Sequence, residues 1–201
     1  SHGFSAGLFT EIAGAGMGIP HLMTAHDVFL PAQFSGWKGQ AKHFAMSRLF
    51  RRMTGIHTVT EDARENLLEF FPAIDRKRVH GILHGVDTEY FVPLDSSRPE
   101  PRCHNVVFAG SHERDFETLR HCIELLRSDQ GFRFDLIGDF PFLVRTESEF
   151  ANVTVHRDVS DIEYRRIMQN ASVLLLPLHA STVCNVVLEA MACGTPVVTT
   201  A

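Results

Sequence analysis

The feature that most constrains this chain is an alternation. Short runs rich in Val, Ile, Leu and Phe alternate with longer stretches of helical spacing. Strands are expected over 19–25, 56–59 and 78–83, separated by helices over 38–53 and 61–71. Thr60, followed by Glu61 and Asp62, marks a helix start, with a hydroxyl to cap the first amides and acids at the positive end of the dipole. A second series places strands at 105–109, 132–137, 152–156, 172–176 and 197–200, with helices over 113–127, 161–170 and 186–193. Strands joined through helices run parallel, because a parallel crossover needs about a dozen residues or more. The expected fold is α/β, built as two Rossmann-like, doubly wound units.

Between the two series the text changes to PLDSSRPEPR, with proline, serine and charge in place of apolar residues. Such text buries too little apolar area to pack, so 93–102 reads as a linker between partial domains at 1–92 and 103–201. The first series opens without a preceding strand and the second stops inside one. Both units are therefore expected to be truncated, the chain being an internal segment of a larger protein. Apolar residues make up 44% and charged residues 21%, which excludes a disordered chain. No apolar run approaches the roughly 18 residues of a membrane span. A formal charge of −5 argues against nucleic acid as a partner. Cys103, Cys122, Cys184 and Cys193 form no CxxC pair and read as reduced thiols, as in a cytoplasmic protein.

Ligands of open parallel sheets sit beyond the carboxyl ends of the strands. That rule selects His26 and Asp27, residues 84–87, 110–114 and 138–139, and the loop 177–185. Across a cleft, two facing carboxyl edges would make one deep site. Glu189 stands out, lying in VVLEAMAC among apolar and small residues. A carboxylate there needs good hydrogen bonds to be buried. The vicinal hydroxyls of a ribose would supply two; a solvent-facing position or an arginine partner would equally account for it. A helix starting near Cys184 offers unpaired amides and a positive dipole end to a diphosphate. Ala180, Ser181 and Thr182 are small enough for close approach, and Asn185 reads as a donor or as the helix cap.

LEAMACGTPVV after an apolar strand, together with HGVDTEYFVP and a strand ending in AG, resembles the GT-B glycosyltransferases, specifically the retaining family-4 group, over essentially the whole chain. The resemblance implies transfer of a sugar from a nucleotide diphosphate donor without a metal or other cofactor. It implies that Glu189 holds the ribose, as the second glutamate of a Glu-x7-Glu motif. The first falls at Ser181, so Asn185 or the main chain of Cys184 and Val186 is expected to take over its contact. The family's arginine directly after the glycine is replaced: Gly110 is followed by Ser111, and the first cation is Arg114. Arg114, with Ser111 as a hydroxyl donor, is the expected stabiliser of the leaving diphosphate; an exposed pair with Glu117 is the alternative. His26 matches the histidine lying over the donor sugar, while Val159 and Asp161 match the segment at the nucleobase. His84, Gly85 and Asp87 resemble an interdomain turn in which Gly85 is expected to carry a positive φ.

Gly14, Gly16 and Gly18 precede a strand instead of following one, which argues against phosphate binding. His80 and His84 are separated by Gly81 and strand geometry, not by a helical turn suited to a metal. Arg48, Arg51 and Arg52 on an amphipathic helix read as a solvated face or as a peripheral contact with an anionic membrane. The acceptor is a glycan, lipid or small molecule that the sequence does not identify. Two alternatives to an active transferase are a GT-B nucleotide-sugar or glycan binder without turnover and a sugar-nucleotide epimerase of the same architecture.

Overall fold

Parallel pairing organises both halves of the chain, and a computed structural model describes residues 20–26, 29–94, 104–138, 149–181 and 183–200. Two compact units separate at His84 and Gly85. In the first, β1 (Leu22–Ala25), β2 (Gly55–Thr58) and β3 (Val79–Gly81) form a three-stranded parallel sheet in that order. Helix α1 (Gly36–Arg52) connects β1 to β2, and α2 (Glu61–Phe70) connects β2 to β3. Thr60 caps α2 as expected: its hydroxyl accepts the Ala63 amide at 3.0 Å. Rings fill this core. Phe71, fully buried, packs edge-on to Phe29 and Phe50 and stacks on His43 at 4.8 Å.

The second unit is a five-stranded parallel sheet. Its strands are β4 (His104–Ala109), β5 (Phe132–Ile137), β6 (Val153–His156), β7 (Val173–Leu176) and β8 (Val197–Thr199). Their order is β6-β5-β4-β7-β8. The chain thus winds outward from β4 in one direction, returns, and continues from β7 in the other, which is the doubly wound Rossmann pattern. The central strands are apolar nearly throughout, as strands covered on both faces must be, with Val107, Phe108, Leu136, Leu174 and Leu176 fully buried. Helix α3 (Phe116–Leu126) follows β4, α4 (Asp161–Asn170) follows β6, and α5 (Asn185–Ala192) follows β7. Gly194, at φ +77°, ends α5 and turns the chain toward β8.

Three expectations change. The helix expected from 113 starts at Phe116, because Glu113 adopts φ +54° and Asp115 caps α3, accepting the Thr118 amide at 3.0 Å. Residues 85–92, read with the first domain, belong to the second unit. There Phe91 packs on the core, Arg165 donates to the Tyr90 carbonyl and Gln169 to the Val92 carbonyl. Gly85 has no positive φ; Asp87 makes the turn instead, its carboxylate accepting the Glu89 and Tyr90 amides at 3.0 and 2.9 Å. Residues 95–102 of the linker lie outside the described residues, as do Cys103, Asp27, Asp139, Thr182 and the glycines at 14, 16 and 18.

Candidate functional site

The strand order of the second unit reverses between β4 and β7, so their carboxyl ends frame the crevice where open sheets bind ligands. The loops leaving the two strands are stitched together. Asp115 donates its amide to the Pro177 carbonyl at 3.0 Å, His179 donates to the Glu113 carbonyl at 2.9 Å, and Arg114 bridges Leu178. Gly110 takes φ +86°, and a Cβ there would lie 2.7 Å from the Arg114 guanidinium. The absence of that atom leaves room for Arg114. Its Nε donates to the Ala109 carbonyl at 3.1 Å, Nη1 to the His112 carbonyl at 3.0 Å and Nη2 to the Cys184 sulfur at 3.3 Å. The expected alternative, an exposed pair with Glu117, is not what forms. A guanidinium carries five N–H donors, so three are committed to holding it and two are left over. The result is an oriented cation at the start of α5.

Cys184 occupies the N-cap position of α5 without a side-chain cap bond, which leaves the first amides of that helix unmet by a cap. Asn185, expected as cap or donor, is the first helical residue and is exposed; Val186 follows it, half-buried. One turn along, Glu189 finds a partner that neither reading anticipated. The Tyr164 hydroxyl, on α4, donates to its Oε2 at 2.5 Å. Burial, and then that bond, push the Tyr164 pKa well above the ordinary phenol value, so the hydroxyl keeps its proton. Glu189 and Tyr164 line a pocket of about 510 Å³ with Asp87, Tyr90, Phe91, Val159 and Asp161. A hollow of about 580 Å³ elsewhere in this unit is lined by Arg120, Glu124, Arg127, Glu149 and Phe150. There Arg120 is already neutralised by Glu124 and Glu149, and no strand end contributes.

The expected site residues therefore fall into three groups. Val159, Asp161 and Glu189 share the pocket. Gly110, Ser111, Arg114, Cys184, Asn185 and Val186 lie at the strand-order reversal, where Ser111 is exposed. His26 follows β1 in the first unit, exposed, with its ring 6.5 Å from that of His84. Ser181, at the position of the motif's first glutamate, is exposed. Tyr164 and Tyr90 were missed. Tyr164 is the single aromatic of DIEYRRIMQN, three residues after Asp161 and so on the same helix face, a signal that was available. Tyr90 lies beneath the Arg165 guanidinium, 4.4 Å from its ring centre. Among the described residues, no cluster of three or more His, Cys, Asp or Glu is placed to hold a metal ion.

Comparison with known proteins places this geometry. The model of a glycosyl transferase 4-like domain matches residues 1–83, and that of glycosyl transferases group 1 matches residues 103–201. An alpha-maltose-1-phosphate synthase of Mycobacterium tuberculosis is 25% identical over 98% of this chain and 58% of its own length. Among solved structures, sucrose-phosphate synthase from Thermosynechococcus elongatus matches 98% of the chain with TM-score 0.77 and 16% identity. Anabaena HepE, solved with UDP and glucose, matches 98% with TM-score 0.73 and 16% identity. The chain spans 54% and 56% of those two chains, a little over half of each. With both halves matched in order, and with the doubly wound sheet and its strand-end pocket, the chain belongs to the GT-B glycosyltransferases, with domains of the family-4 type.

Proposed function

We propose that the protein containing this chain transfers a sugar from a nucleotide diphosphate donor to an acceptor, with retention at the anomeric carbon and without a metal. One observation carries this reading: Glu189 lies in a strand-end pocket next to an uncapped helix N-terminus and the oriented Arg114. Glu189 accepts the ribose hydroxyls, and Val159 and Asp161 border the base. The α5 amides, Arg114 and Ser111 take the diphosphate. As the bond from the anomeric carbon to the diphosphate breaks, charge grows on the leaving oxygen, where a fixed guanidinium is most effective. The acceptor oxygen bonds to the same face of that carbon, and its proton passes to the departing phosphate. His26 positions the sugar, a role resting on resemblance. HepE, solved with UDP and glucose, supports the donor class.

Ser181 favours a second reading, a nucleotide-sugar binder without turnover. Incubating the full-length protein with nucleotide sugars and assaying release of the diphosphate separates the two, since a binder shows affinity alone. For the site itself, calorimetric titration with nucleoside diphosphates in the presence of chelator should give binding, and Glu189→Gln should weaken it about tenfold or more. That follows from charge-assisted hydrogen bonds worth roughly 1.5–3 kcal/mol each. Unchanged affinity in the variant removes Glu189 from the site; binding restored only by a divalent ion removes the metal-free reading.

A location at an anionic membrane surface is supported by α1. It carries Lys38, Lys42, Arg48, Arg51 and Arg52 and no carboxylate, while Trp37 and Phe44 are 76% and 71% exposed. Among the described residues no helix is long and apolar enough to cross a membrane.

A further inference from the structure

We propose that Tyr164 is a positioning residue for Glu189, holding the carboxylate so that the pocket distinguishes a ribose diol from a sugar lacking it. This rests on the nucleotide-donor reading. An ionised carboxylate offers about four lone-pair directions. On a flexible side chain these are shared among rotamers, and accepting two hydroxyls at once requires freezing one of them. Tyr164 does this before any ligand arrives. Its hydroxyl takes one direction on Oε2, leaving Oε1 and the rest of Oε2 for two further donors, enough for a cis-diol. No other side chain among the described residues donates a hydrogen bond to that carboxylate.

Tyr164 is itself held. Its ring meets Phe91 edge-on at 6.3 Å and packs at the margin of the second core. Its helix is anchored by a capping box, in which Ser160 accepts the Glu163 amide and the Glu163 carboxylate accepts the Ser160 amide. Phe91 in turn belongs to the segment after Gly85 that closes onto this unit. The orientation of Glu189 is therefore set by a chain of packed groups and not by the ligand. Tyrosine suits this position because burial keeps its hydroxyl protonated, making it a donor at any working pH. Phenylalanine would keep the packing and lose only the bond.

The test uses the full-length protein, with UDP, ADP and GDP and their 2′,3′-dideoxy counterparts titrated calorimetrically into wild type, Tyr164→Phe, Glu189→Gln and the double variant. Wild type should prefer the ribose form of whichever base it accepts. Tyr164→Phe should lose about fivefold in affinity for the ribose form, on the scale of one hydrogen bond, and less than about twofold for the dideoxy form. Adding Tyr164→Phe to Glu189→Gln should cost little more, since both act through one carboxylate. Equal weakening of ribose and dideoxy forms would make Tyr164 a mere wall of the pocket and overturn the proposal, as would an unaltered preference in Tyr164→Phe. Failure of wild type to bind any of the three ribose forms would overturn the donor reading itself, and the role of Tyr164 with it. Melting curves for each variant identify loss of fold.

Discussion

The two sheets follow the same local grammar and reach different chemistry. The described strands of the first unit run in the order β1-β2-β3, each added beside the last. Its carboxyl edge presents imidazoles: His26 and His84 lie 6.5 Å apart, and His57 Nε2 meets the Ile82 carbonyl at 3.0 Å. In the second unit the order reverses between β4 and β7, and the loops leaving those two strands carry Arg114 and lead into α5. Where the order of a sheet reverses, the connections from neighbouring strands run to opposite faces, and the strand ends there frame a crevice. The cores differ as well, with clustered rings in the first unit and mainly aliphatic side chains around a wider sheet in the second.

That contrast can be broken most forcefully at Phe71. It is fully buried and touches Phe29, Phe34, Phe50 and His43, so Phe71→Ala removes the centre of the ring cluster. We expect a loss of about 3–5 kcal/mol in the denaturant-induced unfolding of the first unit. A loss under about 1 kcal/mol would mean that the rings are not what holds the small sheet.

A smaller effect is expected at the reversal in the second unit. Gly110→Ala forces a β-carbon into a left-handed conformation, at a cost of about 1–2 kcal/mol, and against the Arg114 guanidinium. The displaced cation should weaken nucleoside diphosphate binding and leave binding of the bare nucleoside unaltered. Equal effects on the two ligands would detach Arg114 from the diphosphate. The smallest effect tests whether the basic helix distinguishes the units at a surface. Arg48→Ala should reduce co-sedimentation with phosphatidylserine vesicles by about fivefold, as a cation near an anionic leaflet contributes about 1 kcal/mol. Co-sedimentation unaffected by the substitution would leave α1 an ordinary solvated face.

Much of this architecture was legible in the residues. Strand β5 and helix α4 have the bounds that periodicity implies, and Thr60 caps α2 as its side chain suggests. Glu189 could be singled out because a carboxylate among apolar residues demands an explanation. What it is bonded to could not be read. Nor could the release of Gly85 from a left-handed turn, since Asp87 shapes that turn through its own side chain. The start of α3 was misplaced because Glu113 and Arg114 look helical by composition, while their backbone is engaged by the loop after β7.

The division has a physical basis. Helices, strands and caps are decided by hydrogen bonds and side-chain spacings within a few residues, so the sequence by itself determined the two α/β series and the strand ends where chemistry gathers. Arg114 and Cys184 are 70 positions apart, and Tyr164 and Glu189 are 25 apart. Whether such pairs meet depends on which strands lie side by side and on how the helices pack against them. Only the tertiary structure decided that Arg114 is held at the head of α5 and that a tyrosine, not an arginine or solvent, orients Glu189.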